Sequence, residues 1–391
     1  MSHANSWLCV AARFTMVLKC QIWPPAPQPL TAKHGMVTML STDSEAKEMQ
    51  PMPHAKIARP IVITYLSLFL TLNCQNSSWG KFWDVSPAVV DPLAACRSAV
   101  AGDAFSMICV PANTTGFSRG NASVPAGGTP IHTVTSITGF AMGKFEVTFS
   151  EWSAIRTWAL SNAYTIPNAG TQGGGAGVKT DQHPATSMDW RDMIVWCNAA
   201  SEKAGLTPVY YTDATFTSPL RVSGGAVDIT PGAQDNPYVK WPANGYRLAT
   251  GAEWEYAARY IDGTTYLRGD APSGWSDNNL ANGLIDLAEK DLVAWTNNNS
   301  GGGTKPVGQL QPNSLGIYDM SGNVFELVFD WNGAYVTSSP YTNADSFGPA
   351  TGASRDVRGG GYGGEFGVSN RGTTAPASPS VERGFRVVRR P

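Results

Sequence analysis

Charged residues are scarce in this chain of 391 residues, because Asp, Glu, Lys and Arg together make up 15% of it. An average soluble domain has about a quarter. The formal net charge is −2 and no basic run occurs, so the sequence offers no surface for nucleic acid. The five histidines are scattered and no CxxC pair is present, so the spacing favours no zinc site. HExxH and P-loop motifs are also missing.

Long hydrophobic runs are missing too. The apolar stretch of about 14 residues before Cys74 is shorter than the roughly 20 that a membrane-spanning helix needs. It follows Lys56 and Arg59, and this order is typical of a secretory signal peptide. A cysteine directly after such a stretch resembles a bacterial lipobox, although Asn73 departs from the usual Gly or Ala. We expect lipidation at Cys74, with an ordinary signal peptide or an uncleaved anchor as the alternatives.

The first 51 residues show no helical or strand period and do not resemble a signal sequence. Met52 is a better start, because Lys56 and Arg59 would then lie where a signal peptide carries its positive charge. The expected organisation is an over-extended start at 1–51, a signal peptide at 52–73, a linker at 74–103 and one domain at 104–391. Recovery of a peptide from residues 1–51 would contradict the first of these expectations.

Few cysteines remain after Cys74. Cys96 and Cys109 are close in sequence and could form a disulfide in an oxidising compartment. Cys197 lies in an apolar helical run, so we expect it to be a buried, unreactive side chain.

Glycine and tryptophan are abundant, with 41 and 13 residues. This composition predicts a fold rich in loops with a core of aromatic side chains rather than a helical bundle. The pattern predicts a helix over 152–159 with Ser150 as its N-cap, and a second helix over 191–203 that ends before Gly205.

Several motifs follow one another in the rest of the chain. The most specific are GYRLATGAEWEYAAR from Gly245, NSLGIYDMSGNVFE from Asn313, and RGGGY from Arg358 with GFRVV from Gly384. Together they resemble the formylglycine-generating enzyme family, also called the sulfatase-modifying-factor domain, over roughly residues 104–390. The resemblance implies an irregular, loop-rich α+β fold of the C-type-lectin-like kind, with residues 208–244 as an insertion.

The chain departs from the family pattern at four positions, which we expect the fold to tolerate: Ala249, Gly251, Phe325 and Leu327. Glu253 and Glu255 lie two residues apart in a predicted helix and so face different sides. We expect Glu253 to bond to the backbone or an arginine and Glu255 to be solvated. Arg247 and Arg386 are expected to be structural ion-pair partners.

The family oxidises a cysteine of its protein substrate with oxygen and a copper ion held by two cysteines. The resemblance places these two cysteines at Gly364 and Ser369, in a register supported by the following Asn370 and Arg371. Neither residue can supply the soft thiolate that Cu(I) prefers. Copper and formylglycine formation are therefore not expected, and no residue is assigned a catalytic role.

The resemblance also implies structural Ca²⁺. Its ligands would be the carboxylates of Asp319 and Glu326 and the carbonyls of Gly322 and Val324, since calcium prefers hard oxygen ligands. The alternative is that Asp319 caps a turn while Glu326 pairs with an arginine. A second family site maps onto the three residues Asn282, Gly283 and Asn299, with an Asn in place of the family's Asp.

Three functions remain open from the sequence. The first is a non-catalytic module on the cell envelope or outer surface, anchored in the membrane by lipid. It would bind a protein or glycan through the loop 359–380, with the candidate ligand-binding residues Tyr362, Glu365, Phe366, Asn370 and Arg371. The second is a formylglycine-generating oxidase, or an accessory factor acting on protein cysteine. The third is a structural protein of the envelope.

Overall fold

The computed structural model describes residues 91–121, 131–275, 287–333, 348–364 and 367–391. The predicted signal peptide and Cys74 lie outside the described residues, as do Asn282, Gly283, Glu365 and Phe366. No helix within these ranges is both long and apolar enough to cross a membrane.

Five α-helices occur in the described ranges. They are α1 Ala94–Val100, α2 Phe149–Leu160, α3 Trp190–Lys203, α4 Gly251–Arg259 and α5 Leu287–Val293. The two predicted helices correspond to α2 and α3, but Ser150 is not the N-cap of α2. Thr148 is, because its hydroxyl accepts a hydrogen bond from the Glu151 N–H and the Glu151 carboxylate accepts one from the Thr148 N–H. This capping box satisfies two backbone donors that a helix start leaves unpaired. The Asp189/Asp192 and Thr250/Glu253 pairs begin α3 and α4 in the same way.

Two four-stranded sheets organise the domain. The first has the antiparallel order β1-β4-β14-β9, formed by Met107–Val110, Phe140–Gly143, Val387–Arg389 and Arg247–Leu248. The second has the order β12-β11-β10-β13, formed by Gly372–Thr374, Arg355–Arg358, Phe325–Trp331 and Arg383–Gly384. Within it β13 runs parallel to β10.

The remaining strands form short antiparallel pairs. These are β2 Phe117–Arg119 with β3 His132–Val134, β5 Thr171–Gln172 with β6 Ala185–Thr186, and β7 Tyr210–Tyr211 with β8 Tyr238–Val239. Long connections of irregular backbone join them. The predicted loop-rich α+β fold is thus confirmed.

Aromatic side chains fill the core between the helices and the first sheet. The rings of Trp152 on α2 and Trp196 on α3 stack with centroids 5.7 Å apart. Phe385 contacts both rings edge-on, at 6.0 and 5.3 Å. Such pairs contribute packing energy beyond the area that they bury. Cys197 is fully buried beside them, as predicted.

The predicted boundary at residue 104 lies too late in the chain. Residues 94–100 form α1, and Cys96 is joined to Cys109 on β1 by a disulfide, which confirms that predicted pairing. The Arg389 guanidinium bonds the Asp103 carboxylate at 2.7 Å and the Ala99 carbonyl at 2.6 Å. Residues 94–103 therefore belong to the domain and not to a linker.

The expected insertion at 208–244 is tied to the core by one buried ion pair. The Asp235 carboxylate accepts hydrogen bonds from Arg191 Nε at 2.5 Å and Nη2 at 2.7 Å. Because both oxygens are engaged by one planar guanidinium, the segment is held in a fixed orientation on α3.

Asp189 provides a test of buried charge in this fold. Burial first, and then the neighbouring Asp192 carboxylate, raise the pKa of Asp189 to about 7. A raised carboxyl pKa adds stability below the unfolded value of about 4, and that stability is lost as the pH rises through about 7. We therefore expect Asp189→Asn, which keeps the cap acceptor, to stabilise the domain by about 1–2 kcal/mol at pH 8 and by little at pH 5. Thermal unfolding at the two pH values measures this effect. Asp189→Ala reports the loss of the cap alone at pH 5, and an unchanged Tm of Asp189→Asn at pH 8 contradicts the expectation.

Candidate functional site

Three glycine-rich loops meet around the ring of Tyr362: residues 173–177, 301–303 and 359–364. Gly175 has a φ of +74°, and a Cβ placed on it would lie 2.8 Å from Tyr362 Cε2 and 2.7 Å from Gly303 Cα. Only glycine permits both the left-handed backbone and this approach. The three loops are thereby packed into one surface, although they are distant in sequence.

A groove of about 220 Å³ opens on this surface. It is lined by the six residues Phe325, Gly361, Tyr362, Gly363, Gly364 and Glu382. Aromatic rings form part of its wall, and the glycines leave backbone groups accessible between them. A Cβ on Gly364 would meet no heavy atom within 4 Å, so a side chain at this position would extend into open space.

Two residues next to the loop 173–177 have exposed apolar side chains. Val381 is 50% exposed, and its carbonyl lies against Gly174, where a Cβ would come within 1.9 Å of the oxygen. Val178, next to the same glycine loop, is 91% exposed.

The two positions of the family's cysteines have different environments. Gly364 lines the groove, whereas Ser369 is 1% exposed and is not among the residues of the groove wall. The Ser369 hydroxyl donates to the Gly269 carbonyl at 2.6 Å, and its N–H donates to the same oxygen at 2.8 Å. The hydroxyl therefore stabilises the loop and is not available as a ligand or nucleophile.

A buried ionic cluster lies beneath this loop, with Glu255 at its centre. The Glu255 carboxylate accepts hydrogen bonds from Arg358 at 2.5 Å, Arg259 at 3.1 Å, Arg119 at 3.4 Å and the Gly120 N–H at 2.8 Å. Burial alone raises its pKa, but the three guanidinium groups outweigh burial and hold the pKa at about 2. The prediction that Glu255 is solvated is wrong, because every residue of α4 is buried. Helix periodicity shows which residues share a face of a helix, but it does not show whether other elements cover both faces.

The cluster also supports the C-terminal loop. Arg358 Nη2 donates to the Val368 carbonyl at 2.9 Å, one residue before Ser369. The neighbouring pair of Arg247 and Glu253 forms two hydrogen bonds of 2.7 and 2.6 Å. The structural role predicted for Arg247 and Glu253 is therefore confirmed.

The predicted ligand-binding residues are separated by the structure. Tyr362 lies in the groove wall, whereas Asn370 and Arg371 do not. Arg371 donates to the Gly333 carbonyl at 2.8 Å and pairs with Asp356 at 3.3 Å. The groove residues that the sequence did not single out are Phe325 and Glu382. A signal for Glu382 was its place two residues before the GFRVV motif, which begins at Gly384.

The residues proposed for calcium are engaged by other groups. Both Glu326 oxygens accept hydrogen bonds from Arg386, the shortest at 2.6 Å, and one also accepts from Trp254 Nε1 at 2.8 Å. One Asp319 oxygen accepts from the Gly308 N–H at 2.7 Å. A guanidinium in contact with Glu326 opposes a divalent cation, so this arrangement fits calcium poorly.

In the described part of the chain, no group of three or more His, Cys, Asp or Glu side chains is arranged to hold a metal. Calcium binding stays a prediction, and a rise in Tm on addition of CaCl₂ would support it. We assign no step or role to the ion here.

The irregular sheets, the capped helices and the groove beside the last loop define a protein of the C-type-lectin-like fold type. The family model described as "sulfatase-modifying factor enzyme 1-like domain" matches residues 96–391, and the chain belongs to this family.

Two relatives are similar to this chain in sequence. The chain is 34% identical over 210 residues to "Chaperone protein LppX" of Paenibacillus barcinonensis, covering 50% of this chain and 64% of that protein. It is 35% identical over 160 residues to the formylglycine-generating enzyme of Thermomonospora curvata, covering 38% and 50%. The matched regions thus span about half to two thirds of these relatives.

Among solved structures, "Treponema denticola variable protein 1" superposes with a TM-score of 0.56 at 29% identity. That match covers 73% of this chain and 95% of the other. CarF superposes with a TM-score of 0.52 at 26% identity, covering 73% and 98%. These similarities support the fold over the whole domain.

Proposed function

We propose that this chain is an exported, lipid-anchored protein whose domain binds a segment of another protein in the groove beside Tyr362, without copper-dependent oxidation. One observation carries the proposal: the groove is present, while Gly364 and Ser369 stand where the family's enzymes have their two cysteines. A groove without the two thiols can still bind a ligand, but it lacks the copper ligands that the oxidation requires.

The side chains at these positions support the absence of oxidation. Gly364 contributes no ligand atom, and the Ser369 hydroxyl is used in a buried hydrogen bond. Thiol sulfur elsewhere in the described ranges is confined to Cys197, which is fully buried, because Cys96 and Cys109 are joined. Burial raises the pKa of Cys197 far above its ordinary value, so it stays protonated and unreactive.

The groove has the composition of a protein-binding site. Tyr362 and Phe325 line it with aromatic rings, and Glu382 lines it with a carboxylate. Rigid aromatic side chains provide contact area at low entropic cost, and glycine backbone provides hydrogen-bonding groups. The chaperone name of the Paenibacillus barcinonensis relative is consistent with a polypeptide ligand.

Two features support the proposed location of the protein. The disulfide between Cys96 and Cys109 favours an oxidising compartment. Cys74 after the apolar stretch is the proposed attachment point of the lipid. Metabolic labelling with palmitate should mark the wild-type protein and not Cys74→Ala, and labelling of both variants would contradict lipidation at Cys74.

Filling the groove tests the binding proposal. Gly364 lines the groove and a Cβ there would meet no heavy atom within 4 Å, so Gly364→Leu should narrow the groove without disturbing the fold. We expect wild-type protein to bind a subset of peptides on an array, and Gly364→Leu to bind them about tenfold more weakly, a loss of about 1.4 kcal/mol. Ala154→Leu, on an exposed position of α2, is the matched control and should bind like wild type. Equal binding by Gly364→Leu and wild type, with both folded, would overturn the proposed site.

A further inference from the structure

Two lysines have their ammonium groups beside the glycine loop 301–303: a Cβ on Gly303 would lie 2.7 Å from Lys179 Nζ, and one on Gly301 would lie 3.9 Å from Lys305 Nζ. Lys179 Nζ donates to the Ala176 carbonyl at 2.7 Å and the Thr304 carbonyl at 3.1 Å. Lys305 Nζ lies 5.8 Å from the centre of the Trp295 ring. Neither lysine takes part in any of the ion pairs found among the described residues. Lys179 is therefore held in place, and the positive charge of both remains unbalanced.

The two charges affect each other and a neighbouring histidine. Burial and then Lys305 lower the pKa of Lys179. Burial and then Lys179, with a smaller contribution from Lys305, lower the pKa of His183. Asp181 is the acidic residue nearest to them in sequence, and its carboxylate accepts a hydrogen bond from Gln172 at 2.5 Å. An anion placed between the lysines would relieve their repulsion.

The lysines are adjacent to the groove through one layer of glycine backbone. A Cβ on Gly303 would lie 2.7 Å from Lys179 Nζ, and one on Gly175 would lie 2.7 Å from Gly303 Cα and 2.8 Å from the Tyr362 ring. Gly301 and Gly302 are exposed beside them, so the surface between the lysines and the groove is accessible. A chain leaving the groove past Tyr362 would reach the ammonium groups within a few residues.

We propose that Lys179 and Lys305 form a subsite that binds the carboxylate side chains of an acidic segment in the protein ligand. This inference rests on the proposed function, because it extends the same groove. It identifies the ligand as a polypeptide in which aromatic or aliphatic residues are followed or preceded by Asp or Glu. Lysine suits this role as a compact charge with several donors, two of which Lys179 already uses for its own positioning.

The experiment uses three fluorescein-labelled peptides of equal length that share one aromatic and aliphatic half. Their other halves are rich in Asp and Glu, in Asn and Gln, or in Lys. Fluorescence anisotropy with wild-type protein should give the tightest binding for the acidic peptide. Lys179→Gln and Lys305→Gln should each weaken that binding about three- to fivefold, which is the range of a solvent-accessible ion pair. Lys203→Gln, at an exposed lysine near the end of α3, is the control and should have no effect.

The outcomes separate the subsite from the groove. Equal affinity for the three peptides, together with lysine variants that bind like wild type, would overturn the lysine subsite and leave the groove proposal intact. If the lysine variants lose affinity for the acidic peptide while Gly364→Leu binds it like wild type, the subsite is supported and the groove is overturned. If wild-type protein binds none of the three peptides, both are overturned. Lys179→Arg keeps the positive charge. It should bind the acidic peptide like wild type if the charge, and not local packing, is responsible.

Discussion

The variant Glu255→Gln is expected to lose about 3–5 kcal/mol of unfolding free energy, because it leaves buried guanidinium groups without their counter-charge. Arg119 and Arg358 are essentially inaccessible to water and both bond to this carboxylate. Urea unfolding at pH 7 measures the loss. The matched control is Glu202→Gln, because Glu202 pairs with Arg221 through two hydrogen bonds of 2.6 and 2.8 Å but lies partly exposed. An exposed pair contributes about 1 kcal/mol or less, so equal losses in the two variants would contradict the role of the cluster.

The same carboxylate gives the stability a defined pH dependence. Because the pKa of Glu255 is lowered to about 2 in the folded protein, its contribution is present above the unfolded value of about 4. It is lost as the pH falls towards 2. Wild-type protein should therefore lose stability between pH 4 and 2 more steeply than Glu255→Gln does.

Restoring the two cysteines is expected to create a copper site. The double variant Gly364→Cys with Ser369→Cys should bind about one Cu(I) per chain, because a pair of thiolates is the ligand set that this ion prefers. Gly364 has room for a side chain, and cysteine at 369 differs from serine by one atom. Competition with a chromogenic Cu(I) chelator measures binding, and mass spectrometry of a sulfatase-type cysteine peptide measures oxidation.

The controls in this experiment decide two separate questions. Each single-cysteine variant should bind copper much more weakly than the double variant, since it offers one thiolate. A folded double variant that binds no copper would contradict the assignment of the family's cysteine positions to residues 364 and 369. Copper binding or peptide oxidation by the wild-type protein would contradict the non-catalytic proposal.

The fold was predictable because ordered motifs and composition agreed. The abundance of tryptophan predicted an aromatic core, which contains the stacked rings of Trp152 and Trp196. The order of the motifs indicated the family. The N-cap of α2 was missed although its signal was present, since Thr148 and Glu151 have the spacing of a capping box. Glu255 was misjudged because burial on the second face of a helix depends on elements far away in the chain.

The site was predictable only in part. Tyr362 was identified from its glycine-rich surroundings, and it does line the groove. Lys179 and Val178 could not be connected with it, because their proximity depends on the bridge between Gly175 and Gly303, more than 100 residues apart. The two glycine triplets, 173–175 and 301–303, were visible in the sequence, but nothing local indicates that one packs against the other.

The disulfide between Cys96 and Cys109 also determines how mechanical load enters the domain. If the chain is tethered near Cys74, a pulling force travels along the backbone to Cys96 and passes directly into β1. It bypasses the part of α1 that follows Cys96; the helix has no buried residue and would otherwise peel away at low force. Strand β1 pairs with β4, which pairs with β14 near the C-terminus, so the load is distributed across the first sheet. With the tether at that end, the load would enter the first sheet and not the groove, whose lining residues belong to other elements.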